Sequence, residues 1–252
     1  MKTRAFHPVC CNMATKHWLK PLFFNGLLRK HSIMAGLMET VGTMRKNIEA
    51  ARQISPLAAS AVTLLAASKG QSGSVIGEAL ASGIRHFGEN KVQEAQHKWP
   101  ELKKSVAGVI LHLIGPLQSN KVKEALALFD VIQTIDRMKL AEAIAKERPS
   151  PHHQFYIQVN TGKEPQKAGV MPGEADALID HCRSYLHLNI VGLMCIPPHD
   201  QLPAPHFAWL RELGLRHGLK ECSMGMSGDY ETAVRMGSSC VRIGTALFGE
   251  RA

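Results

Sequence analysis

Apolar residues at Leu37, Val41, Met44, Ile48 and Ala51 recur at helical spacing and form one stripe that Ser55-Pro56 ends. The spacing predicts a helix over 38–54, ahead of any strand. A different pattern follows over 62–68, an apolar run too short for a core helix. It leads into Gly70, Ser72 and Gly73 and then a helical stretch over 74–82. The same unit of strand, loop and helix then recurs, with strand 84–88 before helix 91–102, 109–115 before 119–129, and 131–136 before 137–148. Beyond a proline-rich break, strand 155–161 precedes helix 173–185, 189–196 precedes 204–217, and 221–226 precedes 229–236. A last strand, 240–247, has no helix after it.

Eight apolar runs alternate with seven helices, and several runs are hydrophobic throughout rather than at every second residue. That pattern predicts an α/β fold with a parallel sheet covered on its outer face. Eight strands close a (β/α)8 TIM barrel, and an open doubly wound sheet is the alternative. In a barrel the helix over 38–54 should cover strand eight, packing between the helices of units one and seven. Residues 38–252 are long enough to form this single domain.

Residues 1–37 read differently. They contain basic residues and no acid, and they are expected to be a basic extension without fixed position. A mitochondrial transit peptide, or sequence upstream of a start at Met34 or Met38, is the alternative. This segment also explains the charge. The net +9 falls to 24 basic against 21 acidic residues once residues 1–38 are set aside, and most of those bases share helices with acids. A nucleic-acid partner is therefore not expected, and no apolar run approaches the length of a membrane span. Six cysteines without a C-x-x-C pair imply reduced thiols, and thirteen histidines without zinc spacing imply no metal.

Candidate chemistry gathers at strand ends. Lys69 closes the first apolar run on the same side as Leu65 and Ala67. There a partly desolvated amine becomes a nucleophile for carbonyl groups, although a rim lysine in solvent has the same sequence. Ser227-Gly228-Asp229 follows strand seven and opens a helix, and Arg242, Gly244 and Thr245 lie on strand eight. Barrels often hold phosphate between those two strands, where free N–H groups and hydroxyls converge. A plain N-cap at Ser227 and a strand bend at Gly244 are the alternatives.

Seven blocks run in order, one per barrel unit: LLAASK (64–69), FGENKVQE (87–94), HLIGPLQSNK (112–121), IQTIDR (132–137), GLMCIPP (192–198), SMGMSGDYETAVRMGSS (223–239) and VRIGTALFG (241–249). Through them the sequence resembles the pyridoxal 5'-phosphate (PLP) homeostasis protein family, single-domain relatives of the alanine racemase barrel, PLP fold-type III. The resemblance implies that Lys69 carries PLP as a Schiff base and that Asn90 lies near its ring. It also implies that Ser227, Gly244 and Thr245 hold the phosphate and that Arg242 faces the pyridine nitrogen. His112 and Met226 are further candidates for PLP contact. Lys91 replaces an aromatic usual in the second block and Ser239 a usual threonine, and the loop 70–74 is richer in Gly and Ser than is usual.

An arginine at the pyridine nitrogen weakens the ring as an electron sink. Racemases of the lineage add a tyrosine from a second domain, and none of Tyr156, Tyr185 and Tyr230 belongs to such a domain. The resemblance thus implies a monomeric cytoplasmic PLP carrier and buffer without catalytic residues or substantial turnover, with apo forms of PLP-dependent enzymes as recipients. A weak amino-acid racemase is the alternative.

Overall fold

Strand alternation divides each short run between two environments. In β1 (Thr63–Ala67), Ala66 joins the core beneath the helices, while Leu65 turns inward and fills space beside Gly88. A Cβ at Gly88 would come within 2.5 Å of Leu65 Cδ2, so glycine there makes room for the leucine. The computed structural model describes residues 22–249. The other strands are β2 (His86–Glu89), β3 (Ile110–Leu113), β4 (Val131–Ile135), β5 (Gln154–Val159), β6 (Ile190–Cys195), β7 (Glu221–Ser223) and β8 (Cys240–Ile243). All pair in parallel and in sequence order, and β8 returns to β1 with Arg242 opposite Leu65. The sheet is the closed barrel expected, not the open alternative.

The covering helices are α1 (Leu22–Gln53), α2 (Gly73–Ala81), α3 (Val92–Ser105), α4 (Val122–Leu126), α5 (Met138–Lys146), α6 (Ala175–Asp180), α7 (Pro203–Arg216), α8 (Tyr230–Arg235) and α9 (Thr245–Phe248). The helices expected over 119–129 and 173–185 are shorter α-segments flanked by 3-10 and π turns. All five residues of the predicted apolar stripe in α1 are buried. That face packs against α8, α2 and α9, which seals the β8 side of the barrel as expected.

Two boundaries differ most from expectation. The first helix begins at Leu22 rather than 38, with no proline between Pro21 and Pro56 to interrupt it. Residues 1–21 of the expected extension lie outside the described residues. The last strand ends at Ile243 rather than 247, because Gly244 (φ −116°, ψ −81°) leaves the extended region and caps the short helix α9. β8 is therefore followed by a helix after all.

Candidate functional site

All eight strands point their C-terminal ends at one mouth of the barrel. There a pocket of about 720 Å3 opens. Seven expected residues line it together: Lys69, Asn90, Met226, Ser227, Arg242, Gly244 and Thr245. Gly115 admits Asn90, since a Cβ at 115 would run into the Asn90 backbone. Lys167, residues 196–198 and Asp229 also line the pocket and carried no expected role. Residues 196–198 nevertheless close one of the seven blocks.

His112 is elsewhere. It projects into the lower lumen, bonded to Gln133 and His86, and lines a cavity at the opposite mouth. The reason is register: His112 pairs with Val131, the first residue of β4, which sets it below the upper pocket. Burial foremost, and the neighbouring His86 ring second, lower its pKa to about 3, so it is neutral.

The backbone on both sides of Lys69 is clamped to β2 and α3. Ser68 Oγ donates to the buried Glu89 Oε1 at 2.7 Å, and Gly70 N–H donates to Glu94 Oε1 at 2.6 Å. Lys98 joins the two carboxylates at 2.8 Å each and also donates to the Ser68 carbonyl at 3.2 Å. Trp99 Nε1 adds a bond to Glu89 at 3.0 Å. Glu89 and Glu94 stand in the second block, but their partners cannot be read from it, because the clamp exists only once α3 docks beside the first loop.

Arg242 rises from β8 and is buried. Its Nη1 donates to the Ser223 carbonyl at 2.6 Å and to Ser223 Oγ at 2.7 Å, and its Nη2 donates to the Cys195 carbonyl at 2.8 Å. Burial pulls its pKa down, yet a guanidinium so held stays a cation with donors only. The loops after β7 and β8 meet where Ala246 N–H donates to Ser227 Oγ at 3.3 Å. Asp229 closes the first of them by accepting from Met226 N–H at 2.6 Å. Among the described residues, the N–H groups of Ser227, Gly228 and Gly244 donate to no protein acceptor. Thr245 opens α9, where a first N–H has no intrahelical partner. Such a donor set suits a phosphate, and a Cβ at Gly228 meets nothing within 4 Å.

Three thiols among the described residues are not candidates for catalysis. Burial pushes Cys182 and Cys195 up to about 12 and Cys222 up to about 11, which leaves them protonated.

The family described as "Alanine racemase, N-terminal domain" matches residues 40–252. A pyridoxal phosphate homeostasis protein of Pseudomonas aeruginosa is 39% identical over 225 residues, which is 86% of this chain and 97% of that one. The chain belongs to the pyridoxal phosphate homeostasis protein family. Another relative of that name, from Escherichia coli, is 37% identical over 229 residues, 86% of this chain and 98% of its own. The structure of PipY from Synechococcus elongatus with PLP bound superposes with a TM-score of 0.69 at 34% identity, covering 84% of this chain and 100% of PipY. An alanine racemase from Corynebacterium glutamicum, 18% identical with a TM-score of 0.58 over 85% of this chain and 61% of its own, shares the fold. Among the described residues no helix is long and apolar enough to cross a membrane.

Proposed function

We propose that the chain binds PLP in the upper pocket and serves as a carrier and buffer of it. One observation carries the reading: a single pocket brings Lys69 together with Arg242 and the unbonded N–H groups of the loops after β7 and β8. PipY, a relative with PLP bound, supports it. Lys69 would supply the amine, Ser227, Gly244 and Thr245 the phosphate cradle, Arg242 the partner of the pyridine nitrogen and Asn90 a contact beside the ring. When bound, PLP supplies an aldehyde that reacts with amines and a ring that draws electrons.

This chain's residues favour holding over turnover. Arg242 cannot protonate a ring nitrogen, because its three hydrogen bonds are all donations and its charge is fixed. Racemases of the lineage set a tyrosine opposite the lysine as the second acid or base. The three tyrosines stand elsewhere: Tyr156 lines the lower cavity, Tyr185 is exposed, and Tyr230 accepts a bond from Asn47 at 3.1 Å. A monomer working in the cytoplasm, handing PLP to apo-enzymes, completes the proposal. The buried free thiols Cys182, Cys195, Cys222 and Cys240 suit a reducing compartment.

The test combines uptake with turnover. Purified protein mixed with PLP should gain an absorbance that borohydride fixes covalently at Lys69. Incubated with L- or D-alanine in deuterated water, it should exchange little α-hydrogen. Exchange at rates on the order of 1 per second would overturn the carrier reading in favour of a racemase, and absence of labelling at Lys69 would overturn the site.

A further inference from the structure

A hydrogen-bonded chain of five side chains descends the lumen from the upper pocket to the opposite mouth, and its direction is fixed. Arg242 can only donate, and it gives one bond to Ser223 Oγ. The hydroxyl hydrogen of Ser223 goes on to Gln133 Oε1 at 2.6 Å. With its oxygen thus used, Gln133 offers Nε2–H to His112 Nδ1 at 3.0 Å. Nδ1 must then hold a lone pair, and neutral His112 carries its hydrogen on Nε2. That hydrogen meets His86 Nδ1 at 3.1 Å, so neutral His86 also carries its hydrogen on Nε2. A guanidinium at one end thereby sets the tautomer of an imidazole four side chains away.

His86 lines a cavity of about 490 Å3 at the lower mouth, where the strands begin. Its Nε2–H has no protein acceptor among the described residues, and an N–H there cannot ligate a metal. Tyr156 lines the same space with only 5% of its surface exposed, and its hydroxyl has no hydrogen-bond partner among the described residues. Arg183 and Lys220 stand at the rim with one carboxylate, Glu221. On the α1 side of His86 lie Arg45, Arg52 and Arg85 with Glu49. The cavity therefore offers hydrogen-bond donors within an excess of positive charge.

We infer that the lower mouth is a second ligand site for a small oxyanion, coupled through the lumen chain to Arg242. An anion accepting from His86 Nε2–H makes Nδ1 a stronger acceptor for His112. The polarisation passes along Gln133 and Ser223 to Arg242. Because Arg242 lines the upper pocket and would donate both to Ser223 and to the ring nitrogen, a stronger pull from Ser223 weakens its other N–H donors, so occupation of either mouth weakens binding at the other, and the coupling is reciprocal. The coupling rests on the PLP reading, whereas the lower site does not.

Histidine ring resonances of the full chain, followed by NMR while malonate or inorganic phosphate is added, test the site without any cofactor. Both His86 and His112 should start as Nε2–H tautomers. His86 should then shift saturably with one or both anions, and the tighter of the two names the source. Tyr156→Phe should weaken that binding about 2–10-fold, and Lys220→Ala, at an exposed position outside the upper pocket, should weaken it as well. PLP affinity should fall about fivefold or more at saturating anion, and Gln133→Leu should abolish that fall while malonate still binds. An Nδ1–H tautomer at His112 would overturn the chain, and an unresponsive His86 would overturn the site. Unchanged or increased PLP affinity with the lower site saturated would overturn the coupling. Should Gln133→Leu fail to fold, the tautomer measurement and the two other variants still decide. A chain that takes up no PLP defeats the proposed function, yet the histidine shifts still judge the lower site.

Discussion

Replacing Lys98 with methionine removes the cation that Glu89 faces at 2.8 Å while the carboxylate stays fully buried. Glu89 Oε1 keeps its bonds from Ser68 and Trp99, but Oε2 has no partner among the described residues. Stranding a buried charge in this way costs about 3–5 kcal/mol. The Glu94 half of the clamp, with a third of its side chain exposed, adds roughly 0–1 kcal/mol. For a domain of this size each kcal/mol moves the melting temperature by about 2–4 °C, so Lys98→Met should melt roughly 6–24 °C below the parent. Circular dichroism melts at pH 7 read this directly. Ser68 and Gly70 flank Lys69, so PLP uptake, measured well below the transition, should weaken too. Glu89→Gln combined with Lys98→Met removes the stranded charge and should recover a large part of the loss. A single variant melting within about 2 °C of the parent, or a double variant no better than the single, would refute the clamp.

Lys69→Ala should abolish borohydride labelling yet keep weak PLP binding in equilibrium dialysis, because the N–H groups after β7 and β8 are untouched; undiminished labelling would place the amine elsewhere. Arg242→Gln leaves the Ser223 and Cys195 carbonyls short of donors and should cost about 1–3 kcal/mol in urea denaturation, against no change if those bonds carry nothing. His112 is held to about 3 when folded against its ordinary 6.5, so the unfolded chain takes up the proton first as the pH falls. Its contribution is fully present above pH 6.5 and is lost toward pH 3, with a slope of up to about 1.4 kcal/mol per pH unit. Denaturation series from pH 7 to 5 should therefore be flatter for His112→Gln, and parallel curves would contradict a buried neutral imidazole.

The barrel was legible because its strands are buried on both faces and its turns are short, so eight apolar runs stand out even without alternation. The stripe of Leu37, Val41, Met44, Ile48 and Ala51 likewise announced both α1 and its buried face. Depth within the lumen was not legible. Alternation tells which way His112 points, but only the stagger between β3 and β4 places it below the pocket. Gln133 and Ser223 escaped notice for a related reason: amides and hydroxyls within apolar strands look incidental until the lumen brings them to 2.6 Å across 90 residues of chain. Lys98 sits on a helix face that reads as solvated, and only docking turns it toward Glu89.

The seam between β1 and β8 has a consequence for how the protein is made. Lys69 leaves the ribosome long before Arg242, Gly244 and Thr245, so a nascent chain offers an amine but no cradle to go with it. Pairing strands so far apart in sequence is a slow, entropically costly closure. A ligand gripping both sides of the seam binds only the closed state and stabilises it by mass action. Retention of the ligand is thus a quality mark of finished molecules, and its supply during synthesis should govern how many chains escape proteolysis while the seam is still open.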